Sequence, residues 1–198
     1  MYISRSEVKI DGTNESDYIA MHQALHDAMK PAPGFRWAML LRSTDDASKM
    51  ASIAMWQSPA HAQAFTSSAA ATANAEVAAD DEMSPLSPTH DYDVATARGS
   101  MTPAAFVGIV DWDLEDAGGR KGFTDRWNAA FHAIENRMGS RLLVELSQPS
   151  RYAGLHSAQS KDALDAESLS GKVDRHEEVG LDPRAISRYE VLLLTESD

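Results

Sequence analysis

Asp17-Tyr18-Ile19-Ala20-Met21-His22-Gln23-Ala24-Leu25-His26-Asp27-Ala28-Met29 and Gly122-Phe123-Thr124-Asp125-Arg126-Trp127-Asn128-Ala129-Ala130-Phe131-His132-Ala133-Ile134 are two helical windows that align without a gap at an offset of 105. Tyr18 falls on Phe123, His22 on Trp127, Gln23 on Asn128, Ala24 on Ala129 and Met29 on Ile134. A fixed-order repeat decides an architecture before any single element does. Two further matches keep that order. Met55-Trp56-Gln57-Ser58 pairs with Leu155-His156-Ser157 at offset 100, and Tyr92 to Ala97 pairs with Tyr189 to Leu194 at offset 97. A slowly falling offset is what duplication with small loop deletions produces.

Working outward, each copy reads as strand, helix, strand, strand, helix, strand. In the first copy, Tyr2 to Ile10 alternates apolar and polar residues, and Gly12-Thr13-Asn14 supplies a turn. Ser16 or Asp17 is the expected N-cap of a helix that stops before Pro31-Ala32-Pro33-Gly34. Phe35 to Ser43 is an apolar strand, Asp45-Asp46-Ala47 a turn and Ala51 to Trp56 its antiparallel partner. Pro59 after Ser58 opens a second helix through His61 and Phe65. Ser67 to Glu82 is alanine-rich and carries no assignment, Ser84-Pro85-Leu86-Ser87-Pro88 reads as a loop, and His90 to Ala97 closes the copy. The second copy runs through strands Ala105 to Leu114, Arg141 to Ser147, Tyr152 to Ser157 and Ile186 to Thr195. Its helices are Gly119 to Met138 and Lys161 to Ser168, and Gly171 to Pro183 is a loop. The domains expected are 1–99 and 100–198, joined at Arg98-Gly99-Ser100.

Composition narrows the function. The chain has 198 residues, 18 basic against 30 acidic side chains and a net charge of −12. Scattered basic residues in an acidic chain oppose binding to nucleic acid and to anionic membranes. The absence of cysteine removes disulfides, thiolate nucleophiles and Cys-ligated metals. No apolar leader and no run of 18 apolar residues occur, so a cytoplasmic protein is expected. No P-loop, G-x-G-x-x-G, G-x-S-x-G or H-E-x-x-H motif supports a kinase, dehydrogenase or hydrolase.

A βαββαβ unit lays both helices on one face of a four-stranded sheet and leaves the other face needing a cover. The expected fold class is α+β: two ferredoxin-like units fused in one chain, with sheets packed face to face as a barrel. Gly34-Phe35-Arg36, Leu40-Leu41-Arg42-Ser43 and Trp56-Gln57-Ser58-Pro59-Ala60-His61-Ala62-Gln63-Ala64-Phe65 carry a resemblance to the antibiotic biosynthesis monooxygenase family of the dimeric α+β barrel superfamily. Here it is in tandem fusion, so the chain is expected as an internal pseudo-dimer or a homodimer of such chains. The resemblance implies a small oxygenase that uses no metal or flavin and brings an aromatic, electron-rich substrate to dioxygen between helices and sheet. Haem is the alternative cofactor, because some relatives bind and degrade it. Those degraders carry an asparagine on the first strand and a histidine about ten residues after the tryptophan, where this chain has Ser4, Ser6 and Thr66.

The residue-level expectations centre on the first helix. Tyr18, His22, His26 and Met29 follow helical spacing on one stripe, while Met21, Leu25 and Met29 form a competing stripe that would leave the histidines wet. An inward imidazole, titrating near neutrality, could take a phenolic proton. His22 and His26 could also share a metal, but no third ligand is evident and no metal is expected. The candidate catalytic residues are His22, His26 and Arg36, the guanidinium serving a developing oxyanion. Tyr18, Trp56, Met39 and Phe65 are the candidate walls for a small aromatic substrate. In the second copy Asp111 and Asp113 read as solvated carboxylates, and His132 and the His176-Glu177-Glu178 loop as surface.

Overall fold

Alternation, proline stops and turn residues produce nearly the elements they call for in the computed structural model, which describes residues 1–10, 14–68, 71–72, 84–85, 89–114, 122–132, 139–168 and 183–197. In chain order these are β1 (Tyr2–Lys9), α1 (Glu15–Met29), β2 (Phe35–Ser43), β3 (Lys49–Trp56), α2 (Pro59–Thr66), β4 (Ser84–Pro85), β5 (His90–Arg98), β6 (Phe106–Asp113), α3 (Phe123–His132), β7 (Ser140–Glu145), β8 (Arg151–Ala158), α4 (Lys161–Ser168) and β9 (Ala185–Glu196). Most of 67–82, all of 133–138 and the 171–182 loop, including His176, lie outside the described residues.

The chain divides into two compact units, Met1–Asp91 with Val191–Asp198, and Tyr92–Glu190. These differ from the sequence repeats 1–99 and 100–198 because the strands that close the repeats, β5 and β9, straddle the division. In the first unit β3 pairs antiparallel with both β1 and β2, and β1 also takes the two-residue β4. Ser84 and Pro85, expected in a loop, thus form a short bridge to Val8 and Lys9. The terminal part of β9 lies along β2, where the Ser197 N–H donates to the Arg36 carbonyl at 2.9 Å. In the second unit β8 pairs with β6 and β7, while β6 also pairs with Ala185–Glu190 of β9. First strand on third and second on third is the same wiring in both units, which is the ferredoxin-like pattern of a duplicated βαββαβ chain.

Strand alternation sorts the first unit into two faces. Tyr2, Ala38, Ala54 and Trp56 join α1 and α2 through Met29, Ala62 and Phe65, and Leu40 and Met50 join α1 through Tyr18. On the opposite face Ile3, Met39, Ile53 and Met55 follow in register. That face also carries Arg5, Glu7 and Lys49, with Glu7 bridging Arg5 at 2.6 Å and Lys49 at 3.0 Å. Burial works against the Glu7 charge, but the two cations hold its carboxyl down at about 2.

Two local expectations change. α1 begins at Glu15 after Asn14, which makes no side-chain cap, so neither Ser16 nor Asp17 is the cap. Glu15 extends the first turn by reaching Arg42 at 2.7 Å, and an acid there also suits the helix dipole. Asp111, expected in solvent, is buried, because β6 is an interior strand with partners on both edges; Asp113 at its end is exposed and pairs with Arg151 at 3.4 Å.

Candidate functional site

The stripe that α1 buries decides what the site contains. Tyr18, His22, His26 and Met29 are buried, whereas Met21 and Leu25 are half-buried. Both imidazoles therefore face inward, His22 at 6% and His26 at 1% exposure. Three contacts fix this rotation. Glu15 holds the helix start on Arg42, Tyr18 packs with Leu40 and Met50, and Met29 packs with Ala38, Ala54 and Trp56. His22 and His26 occupy the helix positions between those anchors.

Tyr18, His22 and His26 form a continuous row, with ring centroids 4.6 Å and then 6.1 Å apart. His26 Nδ1 lies 3.2 Å from the Thr195 hydroxyl of β9. His22 Nδ1 and His26 Nε2 are out of reach of solvent and have no hydrogen-bond partner among the described residues. Leaving a buried polar atom unpaired costs about 1–3 kcal/mol, so the pair is a burden on folding. Burial lowers the His22 pKa to about 4, with His26 as a second, repulsive cause. Burial likewise lowers His26 to about 4, against a weaker pull from Asp27. Both rings are neutral near pH 7. Burial pushes the Tyr18 phenol up to about 12, so it stays protonated and can donate.

The remaining candidates divide. Trp56 and Phe65 come together, at 5.4 Å between centroids, and Phe35 meets Trp56 edge-on at 5.3 Å. This aromatic group shares the helix-bearing face with the histidine row and meets α1 at Met29. Gly34 holds its base. It adopts φ +77°, and a Cβ there would lie 2.4 Å from the His61 ring, which the Ser58 hydroxyl contacts at 2.8 Å. Met39 is buried on the opposite face of β2, so it cannot be a wall of this site. Arg36 is exposed, within the register shift between Phe35 and Trp37, and is not brought to the imidazoles. Sequence reasoning missed Thr195, whose contact with His26 joins residues 169 positions apart.

The second unit fills the matching place with rings. Phe123 and Trp127 on α3 are both fully buried. Trp127 stacks on His156 at 5.9 Å, and Phe123 meets Trp112 at 5.5 Å and Tyr152 at 4.8 Å. Gly154 leaves the room: a Cβ there would meet the Trp112 ring at 3.1 Å and His156 Nε2 at 3.2 Å. Asn128 accepts from the Thr96 hydroxyl at 3.2 Å. The side chains of Phe131 and His132 lie outside the described set.

Beside the His26–Thr195 contact, Asp27, Lys30, Leu194, Thr195, Glu196 and Ser197 line an open groove of about 340 Å³. Among the described residues, no three His, Asp or Glu side chains gather as a metal site requires, and no helix is long and apolar enough to cross a membrane.

Fold and site define a tandem ferredoxin-like α+β protein with one imidazole-bearing helix face and one aromatic one. Residues 1–77 match the family described as antibiotic biosynthesis monooxygenase, and the chain as a whole has that family's ferredoxin-like fold in two copies. No curated protein matches the chain. Among solved structures, a Fusobacterium nucleatum protein assigned provisionally as a monooxygenase is 12% identical with a TM-score of 0.82, covering 98% of this chain and 94% of that one. An anthrone oxidase-like protein is 9% identical with a TM-score of 0.69, covering 99% and 93%. A haem-degrading enzyme from Listeria monocytogenes is 10% identical with a TM-score of 0.57, covering 96% and 99%. At these identities the likeness is one of fold.

Proposed function

We propose that the chain is a cofactor-independent oxygenase of aromatic, polyketide-like carbon acids, with His22 as the base in the first unit. One observation carries this reading: the first unit keeps a buried, neutral imidazole, His22, with an unpaired ring nitrogen where the second unit packs Trp127. A protein bears unpaired buried nitrogens at a cost to its stability, and a functional site is the usual return on such strain. The similarity to an anthrone oxidase-like protein supports the substrate class.

The chemistry balances without a cofactor. A methylene flanked by phenolic rings loses a proton to His22. The carbanion gives one electron to dioxygen, and the radical and superoxide combine at that carbon. His22 returns the proton to the peroxide, which loses water and leaves a carbonyl. Overall, substrate and one O₂ become a quinone-type ketone and one H₂O. His22 is a weak base while alone, because burial opposes its charge. An anion formed beside it in the same dry space raises its proton affinity, so proton transfer is coupled to substrate binding. Tyr18 remains a donor for the substrate oxygen, and Thr195 orients His26 beside His22. A proton needs only one hydroxyl or water between the substrate and the ring.

Haem as the alternative cofactor has less support: His26 Nε2 is out of reach of solvent, and His61 is engaged by Ser58 over Gly34.

Oxygen uptake with an anthrone substrate tests the proposal. The His22→Ala/His26→Ala variant is expected to lose activity by about a hundredfold or more, the usual reach of a general base. Uptake by that variant at the native rate would remove the proposal.

A further inference from the structure

Trp56 is buried in the core of the first unit, yet the acid–base chemistry of α1 makes no use of it. Its antiparallel partner on β1 is Tyr2, and both side chains lie on the helix-bearing face. Cross-strand neighbours of this kind set their Cβ atoms about 5 Å apart, so indole and phenol are adjacent. Phe65 and Phe35 close around the indole at 5.4 and 5.3 Å between ring centroids. Tyr2 is itself buried, and its hydroxyl donates to a carboxylate oxygen of Asp91, an exposed residue of β5 that lies 89 positions away in the chain. Indole, phenol and carboxylate thus follow one another from the interior of the unit to its surface.

That order suits the movement of an electron. The benzene rings of Phe35 and Phe65 hold their electrons far more tightly than an indole does. A phenol gives one up more readily than an indole when a base takes its proton in the same step. A carboxylate is such a base, and Asp91 is already within hydrogen-bond reach. Burial, with the Asp91 bond and charge adding to it, pushes the Tyr2 phenol well above its ordinary value, so the proton is in place at neutral pH. In the second unit Gly108 stands across from His156, the counterpart of Trp56, so the matching pair has neither indole nor phenol.

We propose that Trp56, Tyr2 and Asp91 form a one-electron relay that carries oxidising equivalents out of the core of the first unit. An oxygen-centred radical of the alkoxyl class takes one electron from the Trp56 indole and becomes an alkoxide. The indole cation radical then takes an electron from Tyr2 while the phenolic proton passes to Asp91. This restores the indole and leaves a phenoxyl radical beside a carboxylic acid. A thiolate returns the electron, and the proton goes back from Asp91 to the phenoxyl oxygen. The sum is one oxygen radical reduced to alkoxide and one thiolate oxidised to thiyl radical, with the chain unchanged. The chain holds no cysteine, so the thiolate comes from outside. The relay needs no substrate and stands apart from the oxygenase reading.

Pulse radiolysis of the intact chain with azide radical, which oxidises tryptophan, tests the relay. The indolyl absorption should decay as the tyrosyl absorption rises, and more slowly in heavy water, because a proton moves with the electron. Tyr2→Phe keeps the ring, removes the hydroxyl and should abolish this fast phase, as should Trp56→Phe, leaving the slower signals of Trp37, Trp112 and Trp127. Asp91→Asn keeps an acceptor that is a far weaker base. It should slow the transfer about tenfold or more, the factor that a hydrogen bond to a charged group is worth. A native rate in Tyr2→Phe or in Asp91→Asn, a native chain without a tyrosyl rise, or one without a deuterium effect overturns the relay. The same holds where either substitution moves the urea midpoint and leaves the rate alone, since the bond is then only a tie between strands. Loss of the oxygenase reading leaves these outcomes as they stand, because the oxidant is supplied from outside.

Discussion

α1 and α3 descend from one repeated helix and present opposite chemistry to their sheets. α3 buries Phe123 and Trp127 against Trp112, Tyr152 and His156, a packed aromatic stack. α1 buries Tyr18, His22 and His26, of which the two imidazoles carry unpaired nitrogens. Stability alone favours the first arrangement, since large rings bury apolar area and need few polar partners. The second is retained at a cost. The contrast teaches that duplication lets one copy supply rigidity while the other carries polar groups that a lone small domain would find harder to bear.

Several substitutions break or sharpen this contrast. The largest effect expected is on folding: Trp127→Ala should cost about 3–5 kcal/mol in urea unfolding, while oxygen uptake per folded molecule holds near native. His22→Phe, which copies the second unit's aromatic character into the first, should lose about a hundredfold in oxygen uptake with no loss of stability, because it also removes an unpaired buried nitrogen.

Acid should discriminate the units next. His22 and His26 titrate at about 4 when folded against an ordinary value of 6.5, so below 6.5 the unfolded chain takes up protons that the folded chain refuses. Stability is whole above about pH 6.5 and is lost as pH falls toward 4, to the extent of a few kcal/mol for each histidine, about 1.4 for each unit of difference. Urea midpoints measured from pH 7 to 4.5 should fall more steeply for the native chain than for His22→Phe/His26→Phe. The smallest effect is at Thr195→Val, which removes the partner of His26 Nδ1. It should cost about 1 kcal/mol and lower kcat more than it raises KM, since it disturbs orientation rather than binding.

Much of this was legible in the sequence, for identifiable reasons. A helix face has a period of 3.6, so aligning Tyr18 with Phe123 and His22 with Trp127 offered the stripe that is buried, while the Met21, Leu25 and Met29 stripe competed with it until the packing of α1 decided between them. The strand at Phe35 to Ser43 has the bounds expected, because Gly34 and the Asp45-Asp46 turn limit it on both sides. Met39 was misplaced by one residue of register. Plain alternation from Phe35, which faces Trp56, puts Met39 on the same side, but the shift between Phe35 and Trp37 moves Ala38 there instead. Arg36 sits in that irregular step and turns to solvent. The Thr195 contact depends on tertiary pairing, which no local spacing reveals.

The central claim is that the first unit holds a neutral, enclosed imidazole pair. Ring-nitrogen chemical shifts of the histidines, followed by ¹⁵N nuclear magnetic resonance from pH 8 to 4 and assigned with single His→Gln variants, test it most directly. The account predicts that His22 and His26 keep neutral-ring shifts through pH 5.5 and begin to protonate only near 4. Midpoints for both close to 6.5, the value of an imidazole in water, would contradict it.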